Sequence, residues 1–326
     1  MLKKHISQEF LSLYFEKHIV MNIDEIEVVF SKESLWLLNV LLGFIMFGVA
    51  LELKFENFIK LFKTPKAPLI GIVSQFILLP AITFLLVYLV NPEPSIALGM
   101  ILVAACPGGN ISNFMSLLAK GNAELSVSLT AFSTVFAIFL TPLNFAFWGS
   151  LNPATADLMQ KISIDPMAMF KIVLLLLGVP IILGMFITHK FPKFTKKIVK
   201  PVKVISLIIF AGFVIIAFVN NLDVFINYIH LIVVLVLLHN ASGLLTGYGF
   251  ASLFRLPQPD RRAISIETGM QNSGLALVLI FNFFHGLGGM ALIAAWWGIW
   301  HILSGLGLAS FWSWKGIKKV AFTSST

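Results

Sequence analysis

Ile266-Glu267-Thr268-Gly269-Met270-Gln271-Asn272-Ser273-Gly274 places a carboxylate and two amides inside an apolar stretch suited to a membrane interior. A charged side chain at bilayer depth costs roughly a few kcal/mol unless it is paired, hydrated or bound to an ion. No lysine or arginine occurs within these nine residues. A bound cation or a proton is the simplest resolution, and it points to an ion-coupled membrane transporter.

The surrounding chain fits that setting. It is 58% hydrophobic and only 12% charged over 326 residues, with a mean hydropathy of +0.93. A soluble domain is normally about 25% charged. Apolar runs of about 20 residues, each able to cross a ~30 Å hydrocarbon core, recur along most of the length. The fold class is therefore an all-α polytopic membrane protein; a β-barrel would show short alternating segments instead. The net charge of +8 does not imply nucleic acid, because the basic residues sit in short clusters between apolar runs, as in cytoplasmic loops. A single cysteine, Cys106, excludes an internal disulfide and a cysteine metal cluster. The first 30 residues are too polar for a signal peptide.

Nine transmembrane helices are expected, at roughly 34–54, 67–90, 94–119, 122–150, 167–189, 202–220, 224–253, 260–285 and 288–314. Loops after the odd-numbered spans carry Lys54 to Lys66, then Lys120, then Lys190 to Lys203, then Arg255, Arg261 and Arg262, and the tail adds Lys315, Lys318 and Lys319. The opposite connections are acidic or sparse, with Glu93, Asp157, Asp165 and Asp223. The positive-inside rule then puts the C-terminus in the cytoplasm and the N-terminus outside a cell (inner or plasma) membrane. Residues 1–33 contain no span; Phe10, Leu13, Tyr14 and Phe15 suit either a surface amphipathic helix or a loose tail.

Two spans are interrupted, the third by Cys106-Pro107-Gly108-Gly109-Asn110 and the eighth by Thr268-Gly269-Met270-Gln271-Asn272. Non-helical backbone at membrane depth is tolerated only where it lines a cavity or is buried in protein. The two breaks are five positions apart in span order, so their spans run in opposite directions. Broken helices in corresponding, antiparallel positions indicate an inverted repeat with its binding site near the midplane, where two discontinuous helices cross.

The polar residues inside the spans are rich in oxygen: Gln75, Ser112, Asn113, Ser126, Thr130, Glu267, Gln271 and Asn272. Hard cations prefer carboxylate, hydroxyl, amide and backbone carbonyl oxygens, whereas imidazole and thiolate suit softer metals. Ser126 and Thr130 are four apart and share a helix face. Unwound carbonyls at Thr268 and Met270 add further oxygens. Taken singly, Ser126 or Thr130 would be read as bonding a carbonyl one turn back, and Gln75 as a bond between helices. His301 and Cys106 read as packing residues. Glu267 has no such bland reading, and the convergence of the set is more specific than any member.

These motifs are similar to those of the bile acid:sodium symporter family. Cys106-Pro107-Gly108-Gly109-Asn110-Ile111-Ser112-Asn113 with Gly121-Asn122-Ala123-Glu124-Leu125-Ser126-Val127-Ser128-Leu129-Thr130 resembles its fourth and fifth helices, and Glu267 to Ala276 resembles its broken ninth helix. Gly43 to Gly48, Gln75 with Leu79-Pro80, Leu238-His239-Asn240 and Trp300-His301 extend the match over about residues 35 to 314.

The resemblance implies a panel domain (34–54 and 167–220) moving against a core domain (67–150 and 224–314), flanked by the segment 1–33 and a cytoplasmic tail at 315–326. It also implies Na+, with two ions. The first site would use Ser112, Asn113, Ser126, Thr130 and Glu267; the second would use Gln75, Glu267, Gln271 and the carbonyls of Thr268 and Met270. Asn110, Asn272 and His301 are the candidates to bind a small organic anion, bile-acid-like or a small carboxylate, imported in symport by alternating access. The chain lacks the extra N-terminal span of ten-helix members, and Asn110 stands where bacterial relatives often have a small residue such as Thr. A proton-coupled carrier of the same fold and a transport-inactive substrate sensor are the competing readings. An enzyme is not supported, since the sequence offers no metal-ligand spacing and no nucleophile–base pair.

Overall fold

The computed structural model describes residues 23–25, 32–109, 111–162, 165–220, 222–323. Among them every regular element is helical, and the one extended pairing is an isolated antiparallel bridge between Gly108 and Gln271. The expected surface helix around Phe10 to Phe15 lies outside the described residues.

The helices are α1 (Lys32–Ala50), α2 (Phe55–Lys63), α3 (Lys66–Val90), α4 (Pro94–Ala105), α5 (Ile111–Leu118), α6 (Ala123–Leu151), α7 (Pro153–Ile162), α8 (Met167–Lys190), α9 (Pro192–Asn220), α10 (Leu222–Leu253), α11 (Gln258–Gly269), α12 (Ser273–Phe283) and α13 (Gly288–Thr323). Five segments are long and apolar enough to cross a bilayer: Lys66–Val90, Ala123–Leu151, Met167–Lys190, Tyr228–Leu253 and Gly288–Trp314. Leu35–Ala50, Pro94–Ala105 and Ser273–Phe283 are shorter apolar helices. Leu85, Leu89, Ile182, Leu245 and many other large apolar side chains are exposed, a surface that only lipid would cover.

Two elements differ from the expected spans. The first span ends at Ala50, and a separate helix, α2, follows it; its apolar Phe55, Phe58, Ile59 and Phe62 repeat with helical spacing. A short helix, α7, also fills the connection after α6. Neither is long enough to have registered as a span.

Helices α3 and α8 each contain a π-helical turn, at Ser74–Leu78 and Leu174–Gly178, immediately before Leu79-Pro80 and Val179-Pro180. Proline has no N–H and its ring collides with the carbonyl four residues back. The first helix answers by widening: Leu79 N–H bonds the carbonyl of Ser74, five residues back. That widened turn carries Gln75, which is buried.

Helix α1 packs against α8 and α9 on one side and α12 on the other. The remaining long helices pack together, with α10 lying along α11, and α13 touching α4, α5, α10 and α12. The N-terminal segment also reaches this second group. Ile23 is buried, and Asp24 Oδ1 accepts a 2.9 Å bond from Ser95 N in the first turn of α4. A carboxylate there satisfies an orphan helix N–H and faces the positive end of the helix dipole.

The tight α10–α11 contact depends on Gly243 and Gly247. A Cβ on Gly247 would lie 2.7 Å from the Ile264 carbonyl oxygen and 2.8 Å from Ser265 Cα, both backbone atoms that cannot rotate away. Small residues four apart allow such backbone approach in membranes. Gly247→Ala is expected to lower the thermal unfolding temperature in detergent, since overpacking of this kind costs about 1–3 kcal/mol. Gly249→Ala is the control, with nothing within 4 Å of its Cβ position. Equal melting temperatures for the two variants would refute the close-packing account.

Candidate ion and substrate site

Helices α4 and α11 both stop in the interior, leaving carbonyls that no later turn satisfies. The breaks solve this for each other. Gly109 N donates to Met270 O at 2.7 Å, and Asn272 N donates to Pro107 O at 2.9 Å, across the Gly108–Gln271 bridge. Side chains from neighbouring helices take others: Thr141 Oγ1 donates to Ala105 O (2.8 Å), Gln75 Nε2 to Cys106 O (3.2 Å) and Asn240 Nδ2 to Gly269 O (2.7 Å). Gly108 leaves room for Glu267 at the crossing: a Cβ there would lie 2.5 Å from Glu267 Oε1, so the carboxylate would have to shift.

The crossing fixes where α5 begins, and its first turn presents Ser112 and Asn113 to α6 and α11. Ser112 Oγ donates to Glu267 Oε2 at 2.5 Å and lies 3.4 Å from Thr130 Oγ1. Ser126 Oγ approaches Glu267 Oε2 at 3.2 Å and Asn113 Oδ1 at 2.9 Å. Thr130 Oγ1 approaches Glu267 Oε1 at 2.8 Å, Asn113 Oδ1 at 3.1 Å and the Ser126 carbonyl at 3.0 Å. Ser112, Ser126, Thr130 and Glu267 are all buried. All five residues expected at a first site thus meet in one cage. Their three hydroxyls own one proton each, fewer than these contacts need, so with Asn113 Oδ1 turned inward some oxygens face oxygens without hydrogen between them. A cation at the centre would relieve that crowding, and the donors fit a hard one. Among the described residues no group of histidine, cysteine and carboxylate side chains could hold a softer metal.

The second set is also adjacent, in a different arrangement. Gln75 Nε2 donates to Gln271 Oε1 at 2.8 Å, and Gln271 Nε2 donates to Gln75 Oε1 at 3.3 Å and to Thr268 O at 2.7 Å. Met270 O accepts from Gly109. Here the amides satisfy one another, while the hydroxyl bonds to Glu267 come from the first set.

The expected anion-binding residues are less uniform. Asn272 Oδ1 caps α12 by accepting from Leu275 N at 3.0 Å, and among the described residues its Nδ2 meets only Met46 Sδ, at 3.8 Å. His301 is buried, with Nδ1 2.6 Å from the Trp297 carbonyl. Asn110 lies outside the described residues. Sequence reasoning did not assign Asn240 or Thr141, which close the half-helix ends. Asn240 was visible as a polar residue in an apolar run, but its target carbonyl was not.

Comparison with known proteins identifies the family. The pattern of the sodium bile acid symporter family matches residues 39–228. An "uncharacterized sodium-dependent transporter YocS" of Bacillus subtilis (strain 168) is 35% identical over 289 residues, covering 89% of this chain and 87% of the relative. The "probable sodium/metabolite cotransporter BASS1, chloroplastic" of Arabidopsis thaliana is 32% identical over 82% of this chain. The human "sodium/bile acid cotransporter 4" is 30% identical over 74% of it. The chain spans 64% and 56% of the length of those two relatives. Sequence, helical membrane fold and relatives agree: this chain belongs to the sodium bile acid symporter family, a family of transporters and not of enzymes.

Proposed function

We propose that this protein is a sodium-coupled symporter that imports a small organic anion across a cell membrane by alternating access. The observation that carries the reading is the buried, proton-poor oxygen cage around Glu267. Sodium supplies the charge that the carboxylate lacks and satisfies the hydroxyl and amide oxygens together. A proton would neutralise the carboxylate but leave those oxygens crowded.

A second sodium fits the Gln75–Gln271–Thr268 cluster, provided the two amides turn from each other so that their oxygens face the ion. Beside the cage, α5 and α12 start at the crossing, and their N-terminal dipole ends favour an anion. Asn272 Nδ2, which among the described residues has only the weak Met46 contact, can donate to a carboxylate; Asn110 and His301 Nε2 complete the proposed substrate set. The chain crosses the membrane nine times, with the N-terminus outside and the tail in the cytoplasm.

The packing supports a panel of 34–54 with 167–220 against a core of 67–150 with 224–314. One seam between them is α1 against α12. At one end of it Asn39 and Asn282 exchange amide bonds of 3.2 and 2.9 Å; further along, Met46 meets Asn272. Rocking of panel against core must separate the Asn39–Asn282 pair.

Sodium chloride, compared with choline chloride, is expected to raise the melting temperature of the purified protein. A ligand at 100 times its dissociation constant stabilises by about 2.7 kcal/mol. The shift should vanish in Glu267→Ala. A folded wild type indifferent to sodium would sink the proposal in favour of proton coupling, and binding without flux in proteoliposomes would indicate a sensor.

The moving seam has its own test. In a Cys106→Ala background, Asn39→Cys and Asn282→Cys joined by a short reducible thiol crosslinker should stop uptake, and reductant should restore it. Undiminished uptake by fully crosslinked protein would mean that this seam does not open.

A further inference from the structure

The two halves of the cage are carried by different parts of the chain: Ser112, Asn113, Ser126 and Thr130 by the α5–α6 hairpin, and Glu267 by α11. What fixes their register lies one to two helical turns away, where the hairpin turn meets the start of α11. Lys120 turns the chain with φ 53°, and Gly121 packs so closely that a Cβ would be 3.0 Å from Ser116 O and 3.3 Å from both Pro259 O and Ala263 N. Asn122 then uses all its polar groups. Its N–H donates to Pro259 O at 2.9 Å, its Oδ1 caps α6 by accepting from Leu125 N at 3.0 Å, and its Nδ2 donates to Asp260 Oδ1 at 2.8 Å. Arg262 completes the joint, donating to Ala119 O at 2.7 Å at the end of α5 and lying over the Trp312 ring at 5.7 Å.

Asn122 precedes Ser126 by four residues and Asp260 precedes Glu267 by seven, about 6 Å and about 10 Å along their helices. Helices transmit an axial shift over so short a distance almost unchanged. A binding site loosened by about 0.5 Å loses its productive geometry.

We propose that the Asn122–Asp260 bond, supported by Arg262, is the positioning joint that sets the sodium affinity of the cage. The proposal rests on the cage being a sodium site. Neither Asn122 nor Asp260 touches the ion; they act through the register of α6 and α11.

Asn122→Asp isolates the joint. Aspartate still caps α6 as well as asparagine does, but the donor facing Asp260 becomes a second carboxylate. Asn122→Asp with Asp260→Asn reverses donor and acceptor, keeps the net charge and restores the bond. The readout is the sodium chloride concentration giving half the maximal thermal shift of the purified protein, against choline chloride at equal ionic strength. It should rise at least fivefold in Asn122→Asp and return to within twofold of wild type in the double variant. Arg262→Gln, which loses the Ala119 bond and the contact over Trp312, should raise it too, and it serves if Asn122→Asp does not fold.

A lower melting temperature with an unchanged sodium midpoint in these variants would overturn the proposal, reducing the joint to a fold lock. A raised midpoint without rescue by the double variant would also overturn it. A wild type showing no sodium shift fails at the earlier step, the identity of the cage itself.

Discussion

A helix that ends inside a membrane leaves backbone carbonyls and amides with no water to bond, and each unpaired group there costs several kcal/mol. This protein ends two helices in that way, and much of its core follows from the need to close them. Neither break could exist alone. The chain at Pro107 and Gly109 supplies the partners for Asn272 and Met270, and Gly108 and Gln271 lie opposite each other between those two bonds. Thr141, Gln75 and Asn240 reach in from three other helices to further carbonyls. Gly108 allows the crossing to lie against Glu267, and Gly243 and Gly247 allow α10 to follow α11.

The same closure makes the cage rigid. Ser112 and Asn113 sit in the first turn of a half-helix whose start is pinned, with Ser112 N bonded to Gly109 O at 2.9 Å. Glu267 lies two residues before the end of a half-helix whose last carbonyl is held by Asn240. A carboxylate on a flexible loop could swing toward water; this one cannot. Its burial is tolerable because three hydroxyls from two other helices reach it, and their shortage of protons makes the assembly incomplete without an added charge.

Much of this was legible in the sequence because polar residues stand out in apolar runs. Glu267, the Ser126–Thr130 spacing and the two glycine-rich breaks could be read without coordinates, and the structure brings those residues together. What stayed hidden depends on a partner distant in sequence or on a competition between partners. Asn240 could have bonded any neighbour; only the fold aims it at Gly269. The widened turns before Pro80 and Pro180 were not read from the sequence. Asn272 looked like a ligand to substrate, and half of its amide is already committed to capping α12. Ile23 and Asp24 gave no periodic signal at all, since their docking is a three-residue contact with the start of α4.

The placement of the cage also bears on how an ion and an anion could be coupled. Ser112 and Asn113 belong to the turn whose N–H groups point out of the α5 N-terminus, so a cation held by their side chains would order the end that favours an anion. With sodium in the cage, the energetic benefit would run both ways: whatever factor the ion adds to anion affinity, the anion must add to ion affinity. Glu267 gives that exchange its direction. Without a cation its charge would repel an incoming carboxylate through a low-dielectric interior, where Coulomb energies are several times larger than in water. With one it is neutralised, and only the dipoles and amide hydrogens that attract the anion remain. Coupling of this kind would need no long-range signal, because the group that would repel an anion is the group that would bind the ion.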